Sequence, residues 1–278
     1  MDAKADNQTS RLVTDATLLW NRGLGEEAAE KYLQAAALYE QEGNIAEVAS
    51  CWHMAGVSLK HRPKEAEEAF AKASQYYRQA GDEVGVGRVY RDQAIPFAYQ
   101  HNYDKSLKWL EKSESALRKA DAKAELGITI AKIGRLLTGM GKFDEAERRL
   151  EEGLALIREQ PSWFYEMTAL MHAAQLRLEE KDYQGVITYV WAGIGALSNE
   201  RPELDQAELI ETFGRRFAQL FGLLAHGYYH AGNCALGIDY FAQSMALIEP
   251  LDEDAKKVLL DDIKAKEFVA ESKLDYVI

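Results

Sequence analysis

Two histidines near the carboxyl end of the sequence have the spacing of metal ligands. His226 and His230 lie four residues apart, which places both imidazoles on one face of a helix. The residues between them are Gly-Tyr-Tyr, so the glutamate that acts as general base in His-Glu-x-x-His proteases is missing. We therefore expect no metal site and interpret the pair as histidines on a groove-lining helix face.

Other residue patterns that perform catalysis are also missing from the sequence. It contains neither the Gly-x-Ser-x-Gly turn of serine hydrolases nor the phosphate-binding loop that ends in Gly-Lys-Ser/Thr. Gly85-Val-Gly87 lies inside a helical pattern, where it cannot form a phosphate loop. Adjacent carboxylates, typical of solvated helix faces, occur at Glu26-Glu27, Glu67-Glu68, Glu151-Glu152 and Asp261-Asp262. We expect no enzyme activity, no catalytic residue and no cofactor.

The charge balance argues against nucleic acid as a partner. The formal net charge is −12 and the pI is about 5.1, so the surface repels phosphate backbones. Cys51 and Cys234 fit no metal-ligand spacing and suit a reducing compartment. The amino-terminal residues lack the layout of a signal peptide, and no apolar run approaches the ~18 residues that cross a bilayer. These features predict a cytoplasmic protein, or one peripheral to membranes, without an integral membrane segment.

A pattern of one small, one bulky and one small residue recurs along the chain with the i, i+4, i+7 spacing of a helix. It occurs at Ala28, Tyr32 and Ala35; Ala66, Phe70 and Ala73; Ser106, Leu110 and Ser113; Ala146, Leu150 and Gly153; Val186, Val190 and Gly193; and Gly237, Phe241 and Ser244. Successive copies begin 38, 40, 40, 40 and 51 residues apart. Small residues let a neighbouring backbone approach, and the bulky residue fills the space between helices. The pattern therefore marks one helix in each of six repeats.

Each marked helix follows another helix and a short turn, so the repeating unit is a helix pair. The predicted fold is all-α: a right-handed α-α superhelical solenoid of about six pairs plus a C-terminal capping helix, about thirteen helices in one domain. We expect the repeats at residues 9–43, 44–81, 83–120, 124–160, 162–198 and 204–249, and the cap at residues 251–274.

Proline, glycine and the longest repeat interval indicate where helices bend or end. Pro96 lies in the middle of a helical pattern and predicts a kink. Gly141 and Gly232 suit the left-handed conformation that ends a helix. The longest interval predicts an extended connection or a helix around Asn199–Phe213.

Residues 129–156 resemble a tetratricopeptide repeat. The matching positions are Ile133, Gly134, Leu137, Gly141, Phe143, Ala146 and Leu150, and Ile130 replaces the family's usual tryptophan. The period near 40 exceeds the family's usual ~34 residues, which implies longer helices. In such solenoids the first helix of each pair lines a concave surface.

Within that superfamily, Lys31–Tyr77 is similar to the soluble NSF attachment proteins in its order of Ala-Ala, aromatic, Gly and Ala-Gly residues. The resemblance implies handling of SNARE coiled-coil bundles in vesicle fusion, with an AAA ATPase as partner. It also implies a leucine near the C-terminus that contacts this ATPase, a role for which Leu274 is placed. The family's membrane-touching apolar loop has only a poor substitute here, Gly23-Leu-Gly25.

The repeat phase assigns several polar and aromatic side chains to the groove. They are Arg88, Arg91, Tyr99, Arg135, Gln175, Gln219, His226, Tyr229 and His230. Arginines clustered in an acidic chain suggest a carboxylate or acidic patch as ligand; pairing with carboxylates of adjacent helices is the alternative. The tyrosines and histidines could supply the aromatic anchors of an interface, or they could be packing residues.

Together these patterns predict a non-catalytic scaffold or adaptor that binds a peptide, helix or coiled coil of another protein in its groove. The alternative is a peptide-sensing regulatory receptor of the tetratricopeptide type, which a ligand closes. An enzyme with an unrecognised site is the third hypothesis, and a metal bound at His226 and His230 would support it.

Overall fold

The computed structural model describes residues 3–21, 23–59, 62–200, 202–203, 205–251 and 253–273. These residues form fifteen α-helices joined by short turns, and they contain no β-strand. The predicted all-α repeat fold is therefore confirmed. No helix among the described residues is long and apolar enough to cross a membrane.

The helices divide into two compact units, which we call unit 1 (Met1–Thr129) and unit 2 (Ile130–Ile278). Unit 1 contains α1 (Ala3–Asn21), α2 (Gly25–Glu42), α3 (Ile45–Ser58), α4 (Pro63–Gln79), α5 (Glu83–Gln93), α6 (Ile95–Tyr99) and α7 (Tyr103–Lys119). The division falls within α8 (Lys123–Gly139). Unit 2 continues with α9 (Phe143–Glu159), α10 (Trp163–Glu179), α11 (Tyr183–Glu200), α12 (Gln206–His230), α13 (Cys234–Ile248), α14 (Glu253–Asp262) and α15 (Ala265–Ser272).

Packing within each unit follows the small–bulky–small pattern. We call each copy of this three-residue pattern a stripe. All eighteen residues of the six stripes are buried. In unit 1, a Cβ added at Gly56 of α3 would lie 2.7 Å from the ring of Phe70 on α4, so only glycine allows this approach. In unit 2, Ser244 Oγ on α13 donates a hydrogen bond to the carbonyl of Ala218 on α12 at 2.7 Å. The stripe therefore joins the two helices of a pair, as the sequence predicted.

Helix ends also follow the sequence signals. Gly141 and Gly232 adopt positive φ values of 73° and 96°, which a residue without a Cβ tolerates. The kink predicted at Pro96 is a complete break, because α5 ends at Gln93 and α6 begins at Ile95. The proline occupies the first turn of α6, where its missing N–H costs no helical hydrogen bond.

Most of the long interval between the last two repeats belongs to helix. Helix α12 begins at Gln206 after an Asp205 cap whose side chain accepts from the Glu208 backbone N–H at 2.9 Å. The Glu208 carboxylate accepts from the Asp205 backbone N–H at 2.8 Å, which completes a capping box. The helix bends at Phe213, whose φ and ψ are −119° and 29°.

The expected C-terminal cap is present in unit 2 as two helices. Lys264 adopts a φ of 49° between α14 and α15, which divides the cap. This division and the break at Pro96 account for fifteen helices where about thirteen were predicted. The ring of Phe268 on α15 is fully buried and stacks on Phe241 of α13 at 4.6 Å. The cap therefore completes the hydrophobic core at the end of unit 2.

Candidate functional site: the cationic face of unit 2

The two arginines expected in the groove of unit 1 are held by a carboxylate of the same unit. Arg91 is only 7% exposed, and its guanidinium forms an ion pair with Glu125 of α8. Arg88 Nε lies 3.6 Å from Glu125 Oε1. The intramolecular alternative therefore describes both side chains in this structure, and we place the candidate ligand site elsewhere.

A second pair joins the same network from α3. His53 Nε2 lies 2.9 Å from Asp92 Oδ2, and Asp92 Oδ1 lies 3.3 Å from Arg91 Nε. Both His53 and Arg91 are buried. The network therefore links α3, α5 and α8 within unit 1, and each of its buried charged or polar groups has a partner of opposite character.

Three helices of unit 2 carry polar side chains in a repeated i, i+3 arrangement. The pairs are Lys132 and Arg135 on α8, His172 and Gln175 on α10, and Arg216 and Gln219 on α12. Equivalent members lie 40 residues apart between the first two pairs and 44 apart between the last two. We call these six side chains the cationic face.

His172 lies within the electrostatic influence of the three cationic side chains of this face. Burial lowers its pKa well below the ordinary value, and the positive charges of Lys132, Arg135 and Arg216 lower it further. Its ring atom Nε2 is shielded from solvent and has no hydrogen-bond partner among the described residues. The imidazole is therefore neutral at pH 7, surrounded by three cations and unsatisfied at one nitrogen.

The two glutamines of the cationic face hold their neighbours in place. Gln175 Oε1 accepts a hydrogen bond from His172 Nδ1–H at 3.3 Å. Gln219 Oε1 accepts from Arg216 Nη1 at 3.3 Å, and its Nε2 donates to Asp262 Oδ2 on α14 at 2.8 Å. Both amides thus contact a neighbouring group, Gln175 through Oε1 and Gln219 through Oε1 and Nε2.

An aromatic edge borders the cationic face at the start of α10. The guanidinium carbon of Arg216 lies 5.2 Å from the ring centroid of Phe164, within cation–π distance. Phe164 is 37% exposed, which is unusual for so large an apolar side chain. Trp163 contacts both Phe164 and Phe213 edge to face, at 5.6 and 5.3 Å.

The aromatic residues predicted near the end of the groove contact the cap of unit 2. His226 is 3% exposed, and its Nε2 donates to the backbone carbonyl of Ile263 at 3.0 Å. Tyr229 donates its hydroxyl hydrogen to the carbonyl of Glu271 at 3.3 Å, and His230 Nε2 lies 2.9 Å from Glu271 Oε2. In this structure these side chains pack against α15, which corresponds to the packing alternative.

The environment of His226 keeps its imidazole neutral. Burial lowers the pKa of His226 to about 4, and the backbone hydrogen bond to Ile263 only partly opposes this effect. His226, His230 and Glu271 together offer ligand atoms within 4.8 Å of one another. The third group, the Glu271 carboxylate on α15, could not be predicted from the spacing of the two histidines.

Two predicted site residues cannot be placed. Tyr99 belongs to α6, but its side chain lies outside the described residues, as does Leu274 entirely.

Sequence reasoning also missed four members of the site and its border. Lys132, His172 and Arg216 each precede a predicted groove residue by three positions. Applying the repeat period to both members of each pair would have found them. Phe164 carried no such signal, because an aromatic residue at a helix start is usually part of the core.

No protein-family model matches the sequence, and no curated protein matches it. Several solved structures share its architecture. Aspartyl phosphate phosphatase F from Bacillus subtilis aligns with a TM-score of 0.61 and 13% identity, covering 89% of this chain and 61% of the other. The apo form of the quorum sensor NprR from B. thuringiensis aligns with a TM-score of 0.53 and 14% identity, covering 88% and 77%.

A third structure carries the repeat type in its own name. It is a signal transduction ATPase with numerous domains and a tetratricopeptide repeat sensor, from Pyrococcus horikoshii. It aligns with a TM-score of 0.57 and 15% identity over 97% of this chain and 44% of the other. At such identities the likeness concerns the fold alone. Together with the observed helix pairs, it supports an all-α helical-repeat fold for this chain.

Proposed function

We propose that this chain is a non-catalytic protein-binding scaffold whose cationic face binds an acidic segment of a peptide or protein partner. The observation that carries the proposal is the environment of His172. Three like charges converge on an imidazole whose Nε2 is shielded and unpartnered. Positive side chains gathered around one neutral imidazole create a local potential that attracts an anionic group.

A carboxylate suits this environment by charge and by hydrogen bonding. Arginine guanidinium groups bind carboxylates through charge-assisted hydrogen bonds. The bound negative charge would raise the pKa of His172, so that Nε2 could take up a proton and donate it to the ligand. Binding should therefore consume protons, and affinity should rise as the pH falls from about 7.5 to about 6.

The aromatic edge favours an apolar side chain next to the acidic one. Phe164 presents an exposed ring beside Arg216, and aromatic and arginine side chains dominate the binding energy of protein interfaces. The preferred partner segment therefore combines Asp, Glu or a free C-terminal carboxylate with one large apolar residue.

Selection from a peptide-display library on the immobilised full chain tests this specificity. We expect the selected peptides to be enriched in acidic residues. The double variant Arg135→Glu/Arg216→Glu should bind them at least about a hundredfold more weakly, because each reversal replaces an attraction with a repulsion. Isothermal titration in two buffers of different ionisation enthalpy measures the accompanying proton uptake.

Arg148→Glu is the matched control, since Arg148 is an exposed arginine on α9 outside the cationic face. It should bind like the parent. Selected peptides without acidic enrichment, or equal binding by the parent and the double variant, would contradict the proposal.

A peptide-sensing receptor is the second candidate function. The bend of α12 at Phe213 supports it, because Phe213 contacts Trp163 beside the aromatic edge and a ligand there could change the bend. Two of the similar structures are named as a quorum sensor and as a protein with a tetratricopeptide repeat sensor. X-ray scattering with and without a selected peptide separates a receptor that changes shape from a rigid scaffold, whose profile would not change.

The attachment-protein role is a narrower form of the scaffold hypothesis and rests on the resemblance of Lys31–Tyr77. It requires binding to a SNARE coiled-coil bundle and an AAA ATPase. The attachment-protein role would be ruled out if the chain bound neither the purified SNARE bundle nor the purified ATPase. We place the protein in the cytoplasm, where free thiols such as Cys51 and Cys234 remain reduced.

A further inference from the structure

The cap of unit 2 brings a third potential metal ligand to the two histidines of α12. His230 Nε2 lies 2.9 Å from Glu271 Oε2, and ligand atoms of His226, His230 and Glu271 all lie within 4.8 Å of one another. One ion could therefore contact all three groups after small side-chain movements, because bonds of imidazole and carboxylate to zinc are about 2.0–2.2 Å long.

The surrounding contacts orient both imidazoles. His226 donates Nε2–H to the carbonyl of Ile263, so the lone pair of its neutral ring lies on Nδ1. A backbone carbonyl that fixes the histidine tautomer in this way is typical of the second shell of metal sites. The ring of His230 stacks on Tyr183 at 4.6 Å, which restricts its rotation.

The carboxylate is also held near the histidines by packing that does not depend on metal. Phe268, one turn before Glu271 on α15, is fully buried between the rings of Phe241 and Tyr229. Tyr229 in turn donates to the backbone carbonyl of Glu271. Helix α15 therefore delivers Glu271 to the histidines in the folded chain.

We propose that His226, His230 and Glu271 form a binding site for a divalent transition-metal ion of the zinc type, which fastens α15 to α12. Two imidazoles and one carboxylate favour Zn²⁺ over Mg²⁺ or Ca²⁺, which prefer oxygen ligands. Half of the Glu271 side chain is exposed (52%), so a fourth position faces solvent and takes a water molecule. Such a site replaces the sequence-based expectation that the histidine pair holds no metal.

Titration of the full chain with Zn²⁺ after chelator treatment tests the site. All variants carry Cys234→Ser, because Cys234 is exposed and thiols are good zinc ligands. Calorimetry should show one zinc ion per chain. His230→Gln and Glu271→Gln should each weaken binding at least about tenfold, since even outer-shell substitutions cost about 10–100-fold.

Glu267→Gln is the matched control. Glu267 lies one turn before Glu271 on α15 and carries the same charge, but it faces Lys264 at 3.6 Å. It should bind zinc like the parent. In the parent, bound zinc should also raise the unfolding temperature, and this rise should be lost in Glu271→Gln.

Three results would overturn the proposal. They are the lack of saturable binding at one ion per chain, parent-like affinity in both ligand variants, and equal weakening by Glu267→Gln and Glu271→Gln. The last result would mean that zinc responds to the general negative charge of α15. His226 is left unchanged in these variants, because its replacement would remove the buried hydrogen bond to Ile263 and change stability together with zinc affinity.

Discussion

Arg88 and Arg135 both lie on the first helix of a predicted pair, yet their surroundings give them different roles. Arg88 lies beside Glu125, whereas Arg135 adds its positive charge to that of Lys132 around His172. The positive surroundings of Arg135 lower the pKa of His172, in addition to the effect of burial. For a single residue, the neighbour on the adjacent helix therefore decides whether an arginine lies beside a carboxylate or adds to a cluster of positive charge.

Burial of the His226 imidazole should make the stability of the protein depend on pH. Its pKa is about 4 in the folded protein and about 6.5 in the unfolded chain, so between these values the unfolded state binds more protons. Stability should therefore fall as the pH decreases through this window, by about 3 kcal/mol from this group. Urea unfolding with chelator present, at about pH 7 and about pH 4, should show a smaller loss for His226→Gln than for the parent.

His101→Gln is the control for this prediction, because His101 is exposed. It should lose as much stability as the parent over the same pH range. Equal losses in His226→Gln and the parent would show that the imidazole is not kept neutral by folding.

At the scale of helices, the effect of replacing a glycine on stability depends on the atoms that the added side chain would meet. A Cβ at Gly237 of α13 would lie 2.7 Å from the backbone nitrogen of Tyr229 and 2.8 Å from the carbonyl oxygen of Ala225, both on α12. A Cβ at Gly195 of α11 would meet no atom within 4 Å. We therefore expect the glycine-to-alanine substitution to change stability in opposite directions at these two positions.

Gly237→Ala should destabilise the protein by about 1–3 kcal/mol, because α12 and α13 must move apart. Gly195→Ala should stabilise it by about 0.5–1 kcal/mol, because alanine loses less backbone entropy in a helix. Chemical denaturation of both variants measures these differences. Stabilisation by Gly237→Ala would mean that the close contact between α12 and α13 does not form.

At the scale of the whole molecule, the net charge of −12 opposes the local positive charge of the cationic face. The Debye length is about 30 Å at 0.01 M salt and about 8 Å at 0.15 M. In dilute buffer an acidic peptide is therefore repelled by negative charges across the entire chain. Short-range attraction at the cationic face is screened less than this long-range field.

The association rate of an acidic peptide should therefore rise when the ionic strength increases from about 10 to about 100 mM, and affinity should fall at higher salt. Stopped-flow measurements with a peptide selected by display test this, with an uncharged peptide as the comparison. A rate that only decreases from the lowest salt would show that the cationic face dominates the long-range field.

The helical class, the pairing of helices and the phase of each buried stripe follow from local patterns in the sequence. All eighteen stripe residues are buried because i, i+4, i+7 spacing fixes one face of a helix whatever the rest of the chain does. Gly141, Gly232 and Pro96 likewise acted through their own backbone restrictions, which need no distant partner.

Contacts between polar residues, in contrast, depend on the tertiary structure. Glu125 reaches Arg91 from 34 positions away, and Glu271 reaches His230 from 41 positions away, so no local spacing could assign either pair. His172 became a site residue because α8, α10 and α12 place their charges around it. Repeat periodicity predicts the face on which a side chain lies, but its charge environment depends on the residues that other helices bring to that face.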